Sequence, residues 1–241
     1  MRRNHDEHAA VQPETISFSR EGIRAGFLQC MPVAVGVGGY GVVFGVLAGQ
    51  AGLSVGEAAL MSGTVLAGAA QLIVMELWRE PVPIAAVIAT TLVVNLRYLL
   101  MGAALRPWFE QLSPGQTYAS LFFTADENWA LTIGELRSGS RRGAFLLGSG
   151  LAIWAFWVLA TVVGVTVGDV IEEPAQVGLD FVLTAVFLIL AVDLWDEASR
   201  LRTWVSAAVV AVLAAGYLPG YWYLVCGGVA GSLVEVWQYD G

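Results

Sequence analysis

Arg97, Asp126 and Glu127 are ionisable side chains set inside long apolar stretches, with Gln71, Asn95, Thr124 and Asn128 as polar neighbours in the same stretches. A charge in a membrane interior costs about 2.5–3.5 kcal/mol even on lenient insertion scales. Three such charges inserted singly would cost on the order of 8–10 kcal/mol, so something must offset them. A guanidinium and two carboxylates can neutralise one another, bind the two ends of a zwitterion, or carry a proton. The amides and the hydroxyl can orient a polar solute by hydrogen bonds. A structural ion pair explains two of these seven residues cheaply and leaves the others without a reason.

The elements that must hold these residues follow from composition. Of 241 residues, 57% are hydrophobic and 13% charged, and the mean hydropathy is +0.68. A soluble domain carries about 25% charged residues, so this chain has too little polar surface to wrap a water-soluble globule. The same numbers exclude a disordered chain and a soluble enzyme. A membrane β-barrel needs segments of about ten residues alternating apolar and polar. Here the apolar runs are continuous and about twenty residues long, which is what a helix needs to cross the hydrocarbon core. The expected fold is all-α, a polytopic helical bundle in a membrane. With a formal net charge of −8 and no lysine, the chain offers no basic surface to nucleic acid.

Eight apolar segments follow a polar tail (residues 1–24): 25–48, 54–78, 81–105, 117–136, 143–168, 178–195, 203–218 and 221–237. The last two are separated only by Pro219-Gly220, so a seven-span count that merges or discounts a segment is the main rival. Arginine position tests the eight-span topology with a cytoplasmic amino terminus. Arg2, Arg3, Arg20, Arg24, Arg79, Arg137, Arg141, Arg142, Arg200 and Arg202 then lie inside, Arg106 lies outside, and Arg97 lies within a span. This matches the positive-inside rule and places both termini, including residues 238–241, in the cytoplasm. Residues 25–237 then form one transmembrane domain.

Depth brings the charges together. Arg97 lies about eight residues, ~12 Å, from the outer end of the third span, and Asp126 about nine residues, ~13.5 Å, from that of the fourth. Consecutive antiparallel spans can be neighbours, so Arg97 can pair with Asp126 or Glu127. Successive helical residues are ~100° apart, so Asp126, Glu127 and Asn128 cannot share one narrow face, and Asn95 and Arg97 diverge by about 200°. Either protein and water surround these helices or the backbone unwinds there. The first span raises a similar question, with Gly36, Gly38, Gly39, Gly41 and Gly45 behind Pro32. Small residues let helices approach closely. They also suit a helix broken at Pro32, Gly36 and Gly41, which is tolerated where the freed backbone lines a cavity or is buried in protein.

Other polar residues have plainer readings. Cys30 and Cys226 lack metal or redox spacing and read as small buried hydrophobes. His5-Asp6-Glu7-His8 lies in the mobile tail. Glu57 and Asp180 open the second and sixth spans, where a carboxylate is favoured by the helix dipole. Glu76 with Arg79 reads as an interfacial helix pair. Asp193, Asp196 and Glu197 form a solvated junction with Arg200 and Arg202. Trp78, Trp108, Trp195, Trp204, Trp222 and Trp237 sit near span ends as interfacial anchors. No histidine lies in a span, which removes an intramembrane serine protease. No Walker sequence is present, and no His or Cys pair is placed for metal or haem. The expectation is a transporter or channel without cofactor or metal rather than an enzyme. A structural membrane subunit is the remaining alternative.

Gly68-Ala69-Ala70-Gln71, Asn95-Leu96-Arg97-Tyr98, Thr124-Ala125-Asp126-Glu127 and Gly178-Leu179-Asp180-Phe181 occur in the order and spacing of the AzlC family, which the chain resembles from about Gly26 to Trp237. Pro32, Phe44 and Gly45 in the first span are similar too. The chain departs from the pattern at Leu72, where an aromatic often follows the Gln, at Tyr98, where a His often follows the Arg, and at Ala125, inserted into Thr-Asp-Glu. The resemblance implies export of branched-chain or other hydrophobic amino acids across a prokaryotic cytoplasmic membrane. It also implies a small AzlD-type membrane partner. On that reading Gln71, Asn95, Arg97, Thr124 and Asn128 contact substrate, and Asp126 and Glu127 hold its ammonium or a coupling proton.

Overall fold

The computed structural model describes residues 16–79, 81–168, 201–218 and 222–239. His5 to His8, the segment 178–195 with Asp180, the residues from Asp193 to Arg200 and Pro219-Gly220 lie outside the described residues. The described residues are helical, with one isolated bridge between Ser17 and Arg142 and no strand among them. In order they are α1 (Arg20–Gln50), α2 (Val55–Thr64), α3 (Gly68–Leu77), α4 (Ile84–Asn95), α5 (Arg97–Phe109), α6 (Pro114–Phe122), α7 (Asp126–Arg137), α8 (Phe145–Gly168), α9 (Leu201–Tyr217) and α10 (Trp222–Tyr239). Arg20–Gln50, Ile84–Phe109 and Phe145–Gly168 are long and apolar enough to cross a membrane. This is the expected all-α membrane fold.

The ends of the helices are written locally. Ser54 and Glu57 form a capping box at the start of α2, with Glu57 Oε2 accepting from the Ser54 N–H at 2.8 Å. Glu57 is thus the first-turn cap its position implied. Ser113, Pro114 and Gln116 open α6 in the same way. Gly52 ends α1 and Gly139 ends α7, each at a positive φ (86° and 89°) that only glycine adopts cheaply. Both close Schellman turns, through Leu53 N–H to Ala48 C=O at 3.0 Å and Ser140 N–H to Glu135 C=O at 3.3 Å.

Three consecutive apolar segments are each made of two helices rather than one. The second span breaks between α2 and α3 at residues 65–67, the third between α4 and α5 at Leu96, and the fourth between α6 and α7 at residues 123–125. The first span does not break. α1 runs as one helix of 31 residues through Pro32, Gly36 and Gly41, so the expected break at those residues is corrected. Gly41 instead admits a neighbouring helix, since a Cβ there would lie 2.9 Å from the Ala160 Cβ and 3.1 Å from the Trp157 carbonyl oxygen. Gly36 faces open space.

The described residues form two compact units. The first takes those within Met1–Gly41, Ala59–Leu66 and Arg97–Thr161. In it α1 and α8 meet backbone to backbone, because a Cβ on Gly26 would strike the Phe145 carbonyl and one on Gly148 the Ile23 carbonyl. Leu105, Ile133, Leu136 and Leu146 form its apolar core, with Trp108, Phe109 and Trp129 packed against it. The second unit takes those within Val42–Ala58, Ala67–Leu96 and Val162–Gly241. In it α3 packs on α4, and α9 and α10 form an antiparallel hairpin. Gly227 lies against Ala207 and Ala211, while Gly231 and Glu235 lie against Thr203. Merging segments 203–218 and 221–237 into one span is therefore excluded.

Candidate functional site

Each break in the second to fourth spans leaves backbone groups that a bilayer cannot solvate, so protein must satisfy them. At the fourth-span break one side chain does most of this. Asn128 is fully buried; its Oδ1 accepts from the Ala125 N–H at 2.7 Å, and its Nδ2 donates to the carbonyls of Phe123 at 2.9 Å and Leu146 at 3.3 Å. Ala125 itself is extended (φ −128°, ψ 169°) and serves as the N-cap residue of α7. Thr124, also buried, donates its hydroxyl back to the Ser120 carbonyl at 3.2 Å. Both side chains are committed to backbone. The expectation that they contact a solute gives way to one in which they hold the break open.

What the break presents is the start of α7, with Asp126 and Glu127 in its first turn. There the orphan N–H groups and the helix dipole favour negative charge. Arg97 is the first residue of α5, and its Nη1 lies 2.6 Å from Asp126 Oδ2, with the two side chains 34% and 43% exposed. The amino-terminal ends of two half-helices are thus joined by a charge pair, one of the two pairings open to Arg97 from the sequence. Trp129 Nε1 donates to the Met101 carbonyl at 3.0 Å and fixes α7 on α5 one turn further along.

Tyr98 belongs to this group and was missed as a site residue. Its hydroxyl donates to the Leu66 carbonyl at 3.2 Å, its ring lies 5.3 Å beneath the Arg97 guanidinium carbon, and Arg97, Asp126 and Glu127 all act on it electrostatically. Glu127 also acts on Cys30 of α1. The signal was present in Asn95-Leu96-Arg97-Tyr98, where a phenol adjoins the buried cation. The freed Gly63 carbonyl of the second-span break takes the Trp154 Nε1–H at 3.1 Å. Arg97 Nε and Ser120 Oγ are buried and have no hydrogen-bond partner among the described residues.

Gln71 and Asn95 lie in the other unit. Gln71 is 1% exposed on α3, and Asn95 ends α4 with its Oδ1 buried and unpartnered among the described residues. Among those residues no group of three or more His, Cys, Asp or Glu could hold a metal ion.

The chain is a multi-pass helical membrane protein in which three consecutive apolar segments are interrupted and an ion pair joins two of the interruptions. The AzlC protein family matches residues 32–171, more than half of the chain, and the chain belongs to that family. It is 25% identical over 227 residues to the inner membrane protein YgaZ of Escherichia coli (strain K12), covering 88% of this chain and 91% of that one. It is 26% identical over 187 residues to an uncharacterized membrane protein of Helicobacter pylori (strain J99), covering 77% and 81%. Similarity to the branched-chain amino acid transport protein AzlC of Bacillus subtilis (strain 168) is 22% identity over 178 residues, 73% of this chain and 69% of that one. No solved structure matches the chain.

Proposed function

We propose that this chain is the large subunit of a secondary transporter that exports branched-chain or other hydrophobic amino acids across the cytoplasmic membrane. It would work with a small AzlD-type membrane subunit and with both termini in the cytoplasm. The observation that carries the reading is the Arg97–Asp126 pair at the ends of two half-helices. A zwitterionic amino acid needs a cation for its carboxylate, an acid for its ammonium and an apolar wall for its side chain. Arg97 supplies the first and Asp126 with Glu127 the second. The name of the Bacillus relative supports the substrate class.

Counterflow of radiolabelled valine or isoleucine in proteoliposomes, with and without the small subunit, tests the reading. Saturable exchange should fall at least tenfold in Arg97→Ala and in Asp126→Asn. Conductance without saturation would instead make the same charges a pore lining. Exchanging the charges, Arg97→Asp with Asp126→Arg, restores a packing pair but not a binding site. Full recovery in that double variant would reduce the pair to helix assembly.

A further inference from the structure

Both ends of the fourth apolar segment stand at the same end of the first unit. Gln111 precedes α6, and its side-chain carbonyl accepts the Ile16 N–H at 3.2 Å, just ahead of α1. Ser17, the next residue, donates its N–H to the Arg141 carbonyl at 2.8 Å, and its own carbonyl accepts the Gly143 N–H at 2.8 Å, beyond the end of α7. A Cβ on Gly143 would lie 2.6 Å from Ile16 Cγ2 and 3.0 Å from Leu112 Cδ2, so the chain before α6 and the chain after α7 are also neighbours of each other. One layer below, Leu105 of α5, Ile133 and Leu136 of α7 and Leu146 of α8 share the apolar core. A segment that crossed the bilayer would hold its two ends about 30 Å apart.

The turn between α6 and α7 lies at mid-depth by three separate measures. Asp126 is ~16.5 Å along α7 from Arg137, and Arg97, its ion-pair partner, is ~18 Å along α5 from Phe109. Trp154, whose ring meets the Phe123 ring edge-on at 6.0 Å, is ~13.5 Å along α8 from Phe145. We infer that α6–α7 is a re-entrant hairpin: it enters by the face that holds the start of α1, turns at residues 123–125 with Asp126 at its tip, and leaves by the same face. Such a turn is tolerated inside a membrane where protein takes up its backbone groups, as Asn128 does here. Arg20, Arg24, Arg106, Arg137, Arg141 and Arg142 then gather on one face, which the positive-inside rule makes cytoplasmic. Arg106, expected outside from the sequence, joins the others. Since α1 crosses away from this face and Ile84–Phe109 crosses back to it, α2 and α3 together do not cross either. α6 and α7 lie between the Arg97–Asp126 pair and the cytoplasm, and neither covers the pair from the opposite face. The hairpin is thus the cytoplasmic wall of the site.

The test is single-cysteine labelling with a membrane-impermeant maleimide in intact bacterial cells expressing the full-length chain, with Cys30 and Cys226 replaced by alanine. Glu110→Cys stands before α6 and Ser138→Cys after α7, both at exposed positions. Gly56→Cys, where a Cβ meets nothing within 4 Å, marks the opposite face. Gly56→Cys should label in intact cells, while Glu110→Cys and Ser138→Cys should label about tenfold less until the cells are permeabilised. Arg106→Cys and Arg137→Cys repeat the comparison where either of the first pair fails to accumulate. Labelling of Glu110→Cys from outside with Ser138→Cys protected would show a segment that crosses and would overturn the inference. Labelling of both from outside would overturn the cytoplasmic rooting of the hairpin. The readout needs no transport, so absence of valine counterflow in wild type would count against the transporter reading alone.

Discussion

α1 and the α6–α7 span make an instructive pair. α1 contains a proline and a dense set of glycines and remains one helix of 31 residues; residues 117–136 contain one glycine and no proline, and break at residues 123–125. Helix breakers are therefore a poor guide to where this chain unwinds. A break in a bilayer requires groups that take over the freed N–H and C=O, and those are Asn128, Thr124 and the Trp and Tyr donors, not glycine. In α1 Gly26 and Gly41 lie in unbroken helix and serve instead to let α8 approach. The two regions meet different demands with different residues.

The largest effect on this comparison should come from the partner helix that the fourth-span break rests on. Gly150 of α8 lies so close that a Cβ there would run into the Phe123 carbonyl, 2.6 Å from the Phe123 Cβ and 2.8 Å from Asn128 Nδ2. Gly150→Val places three carbons where none fits and drives the break away from α8. Overpacking commonly costs about 1–3 kcal/mol, and against backbone it should lie at or above the upper end. The expected outcome is loss of monodisperse protein in detergent gel filtration, together with loss of exchange. Normal yield and exchange would mean that the break does not lean on α8.

Asn128→Ala should come next. It removes the acceptor for Ala125 N–H and the donor for the Phe123 and Leu146 carbonyls. Each buried group left unsatisfied costs about 1–3 kcal/mol, so a total loss of roughly 3 kcal/mol or more is expected. Asn128→Asp keeps the acceptor but turns a buried carboxylate oxygen toward the Phe123 and Leu146 carbonyls, and should be at least as destabilised as Asn128→Ala. Thermal unfolding in detergent, followed by tryptophan fluorescence, orders the three proteins. Equal midpoints for Asn128→Ala and wild type would show that water or lipid headgroups, rather than this amide, satisfy the break.

The fold and the charge pair were legible in the sequence because both follow from one-dimensional quantities. Span length, arginine asymmetry and depth in residues put Arg97 and Asp126 level before any contact was known, and the 2.6 Å pair lies where that arithmetic led. The angular argument was also sound: three successive polar residues could not share one face, and the backbone unwinds beside them. What sequence could not assign was which polar residue serves backbone and which remains for solute. Asn128 and Asp126 are two residues apart and equally out of place in an apolar run; only the geometry of the break separates them. Tyr98 stood out in the sequence only as a departure from the family pattern after Arg97; its contact with the Leu66 carbonyl is what joins it to the site.

The smallest effects should come from α1, where the sequence left close packing and a break both open. Gly36 faces open space, so Gly36→Ala adds a methyl with nothing to strike and removes a residue that weakens helices by about 0.8–1 kcal/mol relative to alanine. Pro32 lies inside a continuous helix, and Pro32→Ala supplies an N–H to the turn before it. Both variants should unfold within about 0.5 kcal/mol of wild type or slightly above it, with exchange unaltered. Gly41→Ala is the internal contrast on the same helix, because its new Cβ would lie 2.9 Å from the Ala160 Cβ, and it should be destabilised by about 1–3 kcal/mol. If Gly36→Ala or Pro32→Ala abolished exchange without lowering the melting midpoint, α1 would have to unwind at those residues during transport. The distinction between a packing helix and the broken spans would then hold for one conformation alone.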